Sequence, residues 1–206
     1  FVAVNCSSFS KDLLESEMFG HRAGSFTGAL KDKKGLFEEA NNGTIFLDEM
    51  GEMAFELQAK LLRILETGEY IKIGDTKPTR VNVRIIAATN RNLPEEIAAG
   101  RFREDLFYRL SVFQVHLPSL RERTGDIRIL AEAFVRSFSE KLSHPVTGMS
   151  PAYLAALCQQ MWKGNIRELR NVIERSLIVC DGECLDVCDL PLEIQNCHYE
   201  QSDEAV

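Results

Sequence analysis

The sequence predicts an α/β layer with a parallel sheet, followed by a small all-helical block. Three observations carry this. Apolar strand-like segments at 2–6, 44–49 and 81–88 alternate with helical segments up to about residue 117. From residue 127 onward the apolar positions recur at helical spacing only. The 206 residues are 45% apolar and 27% charged, enough for a packed core and unlike a disordered chain.

Each element has a local reason. Val2-Ala3-Val4 reads as a buried strand. Ser10 stands where it can cap a helix over Lys11 to Phe19 that carries Leu13, Leu14 and Met18. Residues 21–29 hold too much glycine for a helix interior and read as an exposed loop or the tip of a helical hairpin. Asn41-Asn42-Gly43 marks a turn that launches the strand Thr44 to Glu49. Leu57, Leu61, Leu62 and Leu65 give residues 54–67 a helical core face. Glu69 to Ile73 and Val81 to Ala88 read as strands, the second apolar enough to be buried on both faces. Short helices are expected near 94–99 and 103–109, then a strand from Val112 to Leu117 stopped by Pro118.

The helical block begins with Ile127, Leu130, Ala131, Phe134, Val135, Phe138 and Leu142 along one stripe. Ser150-Pro151 opens a helix running to about Met161. Asn165 is expected to cap the last helix, with Glu168 completing a capping box and Ile166, Leu169, Val172, Ile173 and Leu177 buried. The expected division is 1–120 for the sheet layer, 121–192 for the helical block and 193–206 for a disordered acidic tail.

Composition narrows the function. The net charge is −7, and five acids with no Lys or Arg lie in 189–206, leaving the rest nearly balanced. Such a chain is a poor nucleic-acid binder by itself. No uncharged apolar run approaches the ~18 residues of a membrane span. The first residues lack the basic region of a signal peptide. The chain starts in an apolar strand without Met and is expected to be a fragment of something longer. Cys180, Cys184 and Cys188, four apart and followed by Cys197-His198, invite a metal reading. The paired Cys-x-x-Cys spacing of a zinc ribbon is absent, so reduced thiols are preferred.

The chemistry gathers at strand ends. In Ile45-Phe46-Leu47-Asp48-Glu49 two acids close an apolar strand, where open α/β sheets bind ligands. One carboxylate can hold Mg²⁺ through water, and the next can orient or deprotonate an attacking water. Strands also often end in solvated acids, and the pentamer alone does not choose. Thr89-Asn90 follows the next apolar strand and can contact a phosphate, or simply turn the chain. Arg103 and Arg109 can stabilise a transferring phosphoryl group from a neighbouring subunit, or pair with Glu104 or Asp105. Arg167, in the first turn of the last helix, can cover a nucleotide or face solvent. None of the 13 glycines is followed by Lys, so no Gly-x-x-x-x-Gly-Lys phosphate loop is present.

Together these segments resemble the central AAA+ ATPase domain of bacterial enhancer-binding proteins, the activators of sigma-54 RNA polymerase. The match covers about residues 1–192. Gly24-Ser25-Phe26-Thr27-Gly28-Ala29 resembles the family's loop Gly-Ala-Phe-Thr-Gly-Ala, which other AAA+ clades lack. Residues 43–49 resemble Walker B, Ala87 to Asn90 sensor 1, Gly100 to Leu110 the arginine-finger segment, and Trp162 to Leu169 the sensor 2 helix. Ser25 and Lys163 depart from the family's usual Ala and Pro, and the Walker A segment is missing.

The resemblance implies an AAA+ parallel sheet without its first strand and P-loop, followed by a helical lid. It implies ATP and Mg²⁺ as cofactors, with Asp48 organising Mg²⁺ via water and Glu49 activating water. Asn5 would restrain Glu49, Thr89 and Asn90 would sense the γ-phosphate, and Arg167 would close the lid. Arg103 and Arg109 would act across the subunit boundary of a homo-oligomeric ring, a hexamer or heptamer. Gly24, Ser25, Phe26, Thr27, Gly28 and Ala29 would form the sigma-54 contact. A missing C-terminal domain would bind DNA, and the protein would be cytoplasmic. The implied function is ATP-driven remodelling of sigma-54 polymerase. The alternatives are a non-hydrolysing binding module and an AAA+ motor for another substrate.

Overall fold

The structure is a computed structural model and describes residues 1–142 and 146–195. It divides into two compact units, Phe1–Gln114 and Val115–Val206. In chain order the first unit contains β1 (Val2–Asn5), α1 (Lys11–Phe19), β2 (Gly20–His21), β3 (Lys33–Lys34), α2 (Leu36–Glu39) and β4 (Thr44–Asp48). A 3-10 turn (Met50–Glu52) leads to α3 (Phe55–Thr67), β5 (Glu69–Ile71), β6 (Pro78–Arg80), β7 (Arg84–Ala87), α4 (Leu93–Ala98) and α5 (Glu104–Leu110). The second unit contains α6 (Gly125–Leu142), β8 (Gly148–Met149), α7 (Pro151–Cys158), α8 (Asn165–Val179) and β9 (Cys184–Leu185).

The expected parallel sheet is present, in the order β1-β4-β7. Its register pairs Asn5 with Asp48, and Leu47 with Ala87, so the three strands end together. Val4, Ile45 and Leu47 face a core shared with Leu14, Met18, Leu57 and Leu61. An aromatic trio extends that core: Phe19 and Phe37 stack at 5.7 Å between ring centroids, and Tyr70 lies 5.7 Å from Phe19. Leu13, expected on the same helix face, is 47% exposed. β2 and β3 pair and frame the loop 22–32. At its neck a Cβ added to Gly35 would lie 2.4 Å from the Phe19 carbonyl carbon, so only glycine lets the chain pass there. β5 pairs with β6, a strand that the sequence pattern did not single out.

Two expectations about strands are corrected. β7 is not buried on both faces: Ile86 is 41% exposed, because among the described residues no strand pairs with its outer edge. Residues 112–117 form no strand, and Val112, Phe113, Val115 and Leu117 are exposed. Their apolar pattern fits a strand, but a strand also needs a neighbour for its N–H and C=O groups.

In the second unit Ile127, Ala131, Val135 and Phe138 of α6 pack with Leu169, Ile173 and Leu177 of α8. The side chain of Leu142 lies outside the described residues. Ser150 caps α7 as expected, accepting the Tyr153 N–H at 3.0 Å. The capping of α8 differs from expectation. Gly164 takes the cap position, and its N–H donates to Glu168 Oε2 at 2.7 Å. Asn165 is left-handed at φ 54 and accepts the Leu120 N–H at 2.8 Å instead. Ile194 is buried in this core. The remainder of the expected tail, 196–206, lies outside the described residues. Among the described residues no helix is long and apolar enough to cross a membrane. Cys180, Cys184 and Cys188 are free thiols, and no metal-binding group of His, Cys, Asp or Glu occurs among the described residues. Cys197 and His198 lie outside them.

An ionic network braces the chain beyond β7. Arg91 binds Glu52 with two nitrogens and reaches Glu96 at 3.0 Å, while Arg101 grips the same Glu96 carboxylate at 2.6 and 2.9 Å. Arg101, then Arg91, hold the Glu96 carboxyl down at about 2 against the pull of burial. A depressed carboxyl adds stability above its unfolded pKa and loses it as pH falls through the folded value. The Glu96→Gln protein should therefore melt below the parent near neutral pH, and the gap should close between about pH 4.5 and about pH 2. Thermal melts across that range read the gap; a gap independent of pH would contradict the network.

Candidate functional site

The sheet register builds the site. Asn5 and Asp48 lie side by side at the strand ends, tied by Cys6 N–H to Asp48 C=O at 2.9 Å. Ala88 N–H donates to Leu47 C=O at 2.8 Å and Met50 N–H to Ala88 C=O at 2.9 Å, which brings Thr89 to the same end. Glu49 is left-handed at φ 51, an uncommon state for a side chain with a Cβ. Its N–H donates to Asp48 Oδ1 at 3.0 Å.

Glu49 Oε2 is hydrogen-bonded to Ser7 Oγ. The Ser7 N–H donates to Asn5 Oδ1 at 2.8 Å, and Ser7 Oγ lies at the same distance from that oxygen. Among the described residues no direct hydrogen bond joins Asn5 to Glu49. The two carboxylates also leave a mark on Cys6: burial first, then the charges of Asp48 and Glu49, push its thiol up to about 12. Cys6 therefore stays protonated and is a packing residue, not a nucleophile.

Thr89 Oγ1 accepts the Arg91 N–H at 3.1 Å. Gly51 lets it approach, since a Cβ there would come within 2.6 Å of the hydroxyl. Asn90 is exposed, and among the described residues its side chain has no hydrogen-bond partner. Among the described residues neither Arg103 nor Arg109 is hydrogen-bonded or ion-paired to Asp48 or Glu49. Arg103 forms a two-pronged pair with Asp105 at 3.0 and 2.7 Å and lies over the Phe55 ring at 5.5 Å. Arg109 donates to Leu65 C=O at 3.3 Å. Both thus rest against α3, and Gln58 of that helix accepts the Arg103 N–H at 2.9 Å.

Residues 24–29 occupy the loop between β2 and β3. Gly24 N–H to Ala29 C=O at 2.7 Å closes it. Phe26 is 45% exposed and meets His21 edge-on at 4.9 Å, while Thr27 is exposed and Ala29 buried. Ser25 sits against Gly74 of the turn between β5 and β6. Arg22 clamps the two segments, binding Asp32 at 2.6 Å and Asp75 at 2.8 Å. The Ala23 N–H and Arg22 keep the Asp32 carboxyl below its usual range.

In the second unit Arg167 is exposed and without a partner among the described residues. It lines a depression of about 380 Å³ with Arg123, whose buried Nε also has no hydrogen-bond partner there. Sequence reasoning missed Ser7 and the Arg22 clamp. Ser7 had a signal in its spacing, two residues after Asn5, where Asn side chains accept backbone N–H groups. The clamp had none, because Asp75 is 53 residues from Arg22.

Residues 1–116 match the family model "Sigma-54 interaction domain", and residues 121–206 match "AAA+ ATPase lid domain". The sigma54-dependent transcriptional activator SfnR of Pseudomonas putida is 48% identical over 99% of this chain and 55% of its own length. The regulatory protein AtoC of Escherichia coli K12 is 49% identical over 95% of this chain and 42% of its own. The chain thus spans about half the length of such relatives. The crystal structure of NtrX from Brucella abortus in complex with ATP superposes with a TM-score of 0.84 at 39% identity, covering 96% of this chain and 43% of that one. The ADP complex gives the same TM-score at 38% identity, covering 95% and 44%. With its parallel sheet and following helical unit, the chain belongs to the sigma-54 interaction domain family, with an AAA+ ATPase lid domain following.

Proposed function

We propose that this chain carries the water-activating, phosphate-sensing and partner-contacting parts of an ATPase that remodels sigma-54 RNA polymerase. The observation that supports this best is the shared strand end, where Asn5, Asp48, Glu49 and Thr89 converge. Bound ATP with Mg²⁺ would supply the phosphoryl group to be transferred and the charge that the site must neutralise. The donor set fits that group. In the first unit two carboxylates suit a hydrated Mg²⁺, and Thr89 and Asn90 suit an anion; in the second unit, taken by itself, Arg167 and the unpartnered Arg123 Nε suit an anion.

Asp48 would hold Mg²⁺ through water. Glu49 orients an attacking water and takes its proton at the carboxylate. Thr89 and Asn90 hydrogen-bond the terminal phosphate. Arg103 and Arg109 leave Asp105 and Leu65 to reach a neighbouring copy in a homo-oligomeric ring, and Arg167 closes over the nucleotide. The outer edge of β7 supports a further parallel strand pairing there, with the phosphate-binding loop at its end, supplied by residues outside this sequence. Phe26 and Thr27 stand exposed on a clamped loop, an arrangement suited to a partner hot spot on sigma-54. DNA contact is assigned to a further C-terminal domain and the site of action to the cytoplasm.

Two measurements in the full-length protein test this reading. Glu49→Ala should keep ATP binding and lower single-turnover hydrolysis at least ~100-fold, the scale of a lost general base. Hydrolysis within a few-fold of the parent would remove the water-activating role from Glu49, whereas no hydrolysis by the parent itself would favour a binding module without turnover. Phe26→Ala should keep ATPase activity and the parent's melting temperature, yet lose sigma-54 binding in the presence of a transition-state mimic. Unfolding of that variant would instead make Phe26 a core residue.

A further inference from the structure

Ser7 lies outside every motif that the sequence singled out, yet it stands between two groups of the site. Asn5 Oδ1 faces the Ser7 backbone N–H at 2.8 Å. A backbone N–H can only donate, so the Asn5 atom facing it is the carbonyl oxygen and not the amide nitrogen. That oxygen accepts; it has no proton to give to a carboxylate. Whatever Asn5 does to Glu49 in this arrangement therefore passes through Ser7.

The Ser7 hydroxyl has one proton and two acceptors within reach, Asn5 Oδ1 at 2.8 Å and Glu49 Oε2. Asn5 Oδ1 already accepts the Ser7 N–H, and an ionised carboxylate is a stronger acceptor than a neutral amide oxygen. The proton accordingly goes to Glu49. Asn5 fixes the backbone of Ser7 in an Asn-type turn, reinforced by Ser8 N–H to Asn5 C=O at 3.3 Å. The turn after β1 thereby sets the place of the Glu49 carboxylate.

We propose that Ser7 is a positioning residue whose hydroxyl relays the restraint of Asn5 to Glu49. The proposal rests on reading Glu49 as the water-activating group only for its effect on turnover; the relay itself is a property of the nucleotide-free protein. A carboxylate oxygen that accepts from a hydroxyl has one acceptor position fewer to offer an attacking water. Releasing it should raise turnover in the absence of the partner.

The test combines two readouts on the full-length protein. In the nucleotide-free state, Glu49→Gln should shift the side-chain amide NMR signal of Asn5 in the parent and in a Ser7→Thr background. It should leave that signal in place in a Ser7→Ala background. In turnover, Ser7→Ala and Asn5→Ala should each raise kcat by about three- to tenfold with KM little changed. The double variant should rise no further than either single one, and Ser7→Thr should stay near the parent. Ser7 is exposed, so Ser7→Ala should melt with the parent. An unchanged Asn5 response in Ser7→Ala, or additive effects of the two substitutions, would overturn the relay. If Glu49→Gln itself keeps full turnover, the water-activating reading falls, and the Asn5 signal still decides the relay.

Discussion

The parallel ladder through β1, β4 and β7 is the constraint on which the rest depends. Asp48 and Glu49 are only acids at the end of a strand until that ladder brings Asn5 to one side and Thr89 to the other. Hydrogen bonds continue past the strands, from Cys6 to Asp48 and from Met50 to Ala88, so the site sits on backbone that the ladder has already ordered. Functional groups on rigid elements hold their geometry better than groups on loops. The apolar side chains beneath, Val4, Ile45 and Leu47, hold the strands at that depth.

A second constraint governs the exposed loop. An aromatic side chain on a glycine-flanked loop would ordinarily collapse or wander. Here the loop is closed by Gly24 and Ala29, pinned by the β2–β3 pair and clamped through Arg22 to the turn around Asp75. Exposed ion pairs contribute little to stability. Their effect here is geometric, joining two segments that are distant in sequence but adjacent in space. Phe26 is thus presented at one edge of a fixed frame while remaining about half exposed.

Much of this was legible in the sequence. The β4 strand and its two acids, the helix at Phe55–Thr67 and the Ser150 cap all follow from local patterning, which the structure keeps. Where the reading failed, a non-local requirement decided. Val112 to Leu117 has strand composition but no partner among the described residues, so it makes no ladder there. Asn165 has capping chemistry, yet its side chain is taken by Leu120, 45 residues away. Asn5 was singled out through family resemblance alone, and its link to Glu49 through Ser7 needed coordinates. Arg103 and Arg109 were legible as cations, but their rest positions against α3 were not.

The most direct test of the central claim is amide hydrogen exchange in the nucleotide-free protein. If the strand ladder orders the site, the amides of Cys6, Met50 and Ala88 should exchange as slowly as those inside β4. Exchange of these three at the rate of the exposed loop 22–32, with β4 still protected, would mean that the site is not built by the sheet and would contradict the account.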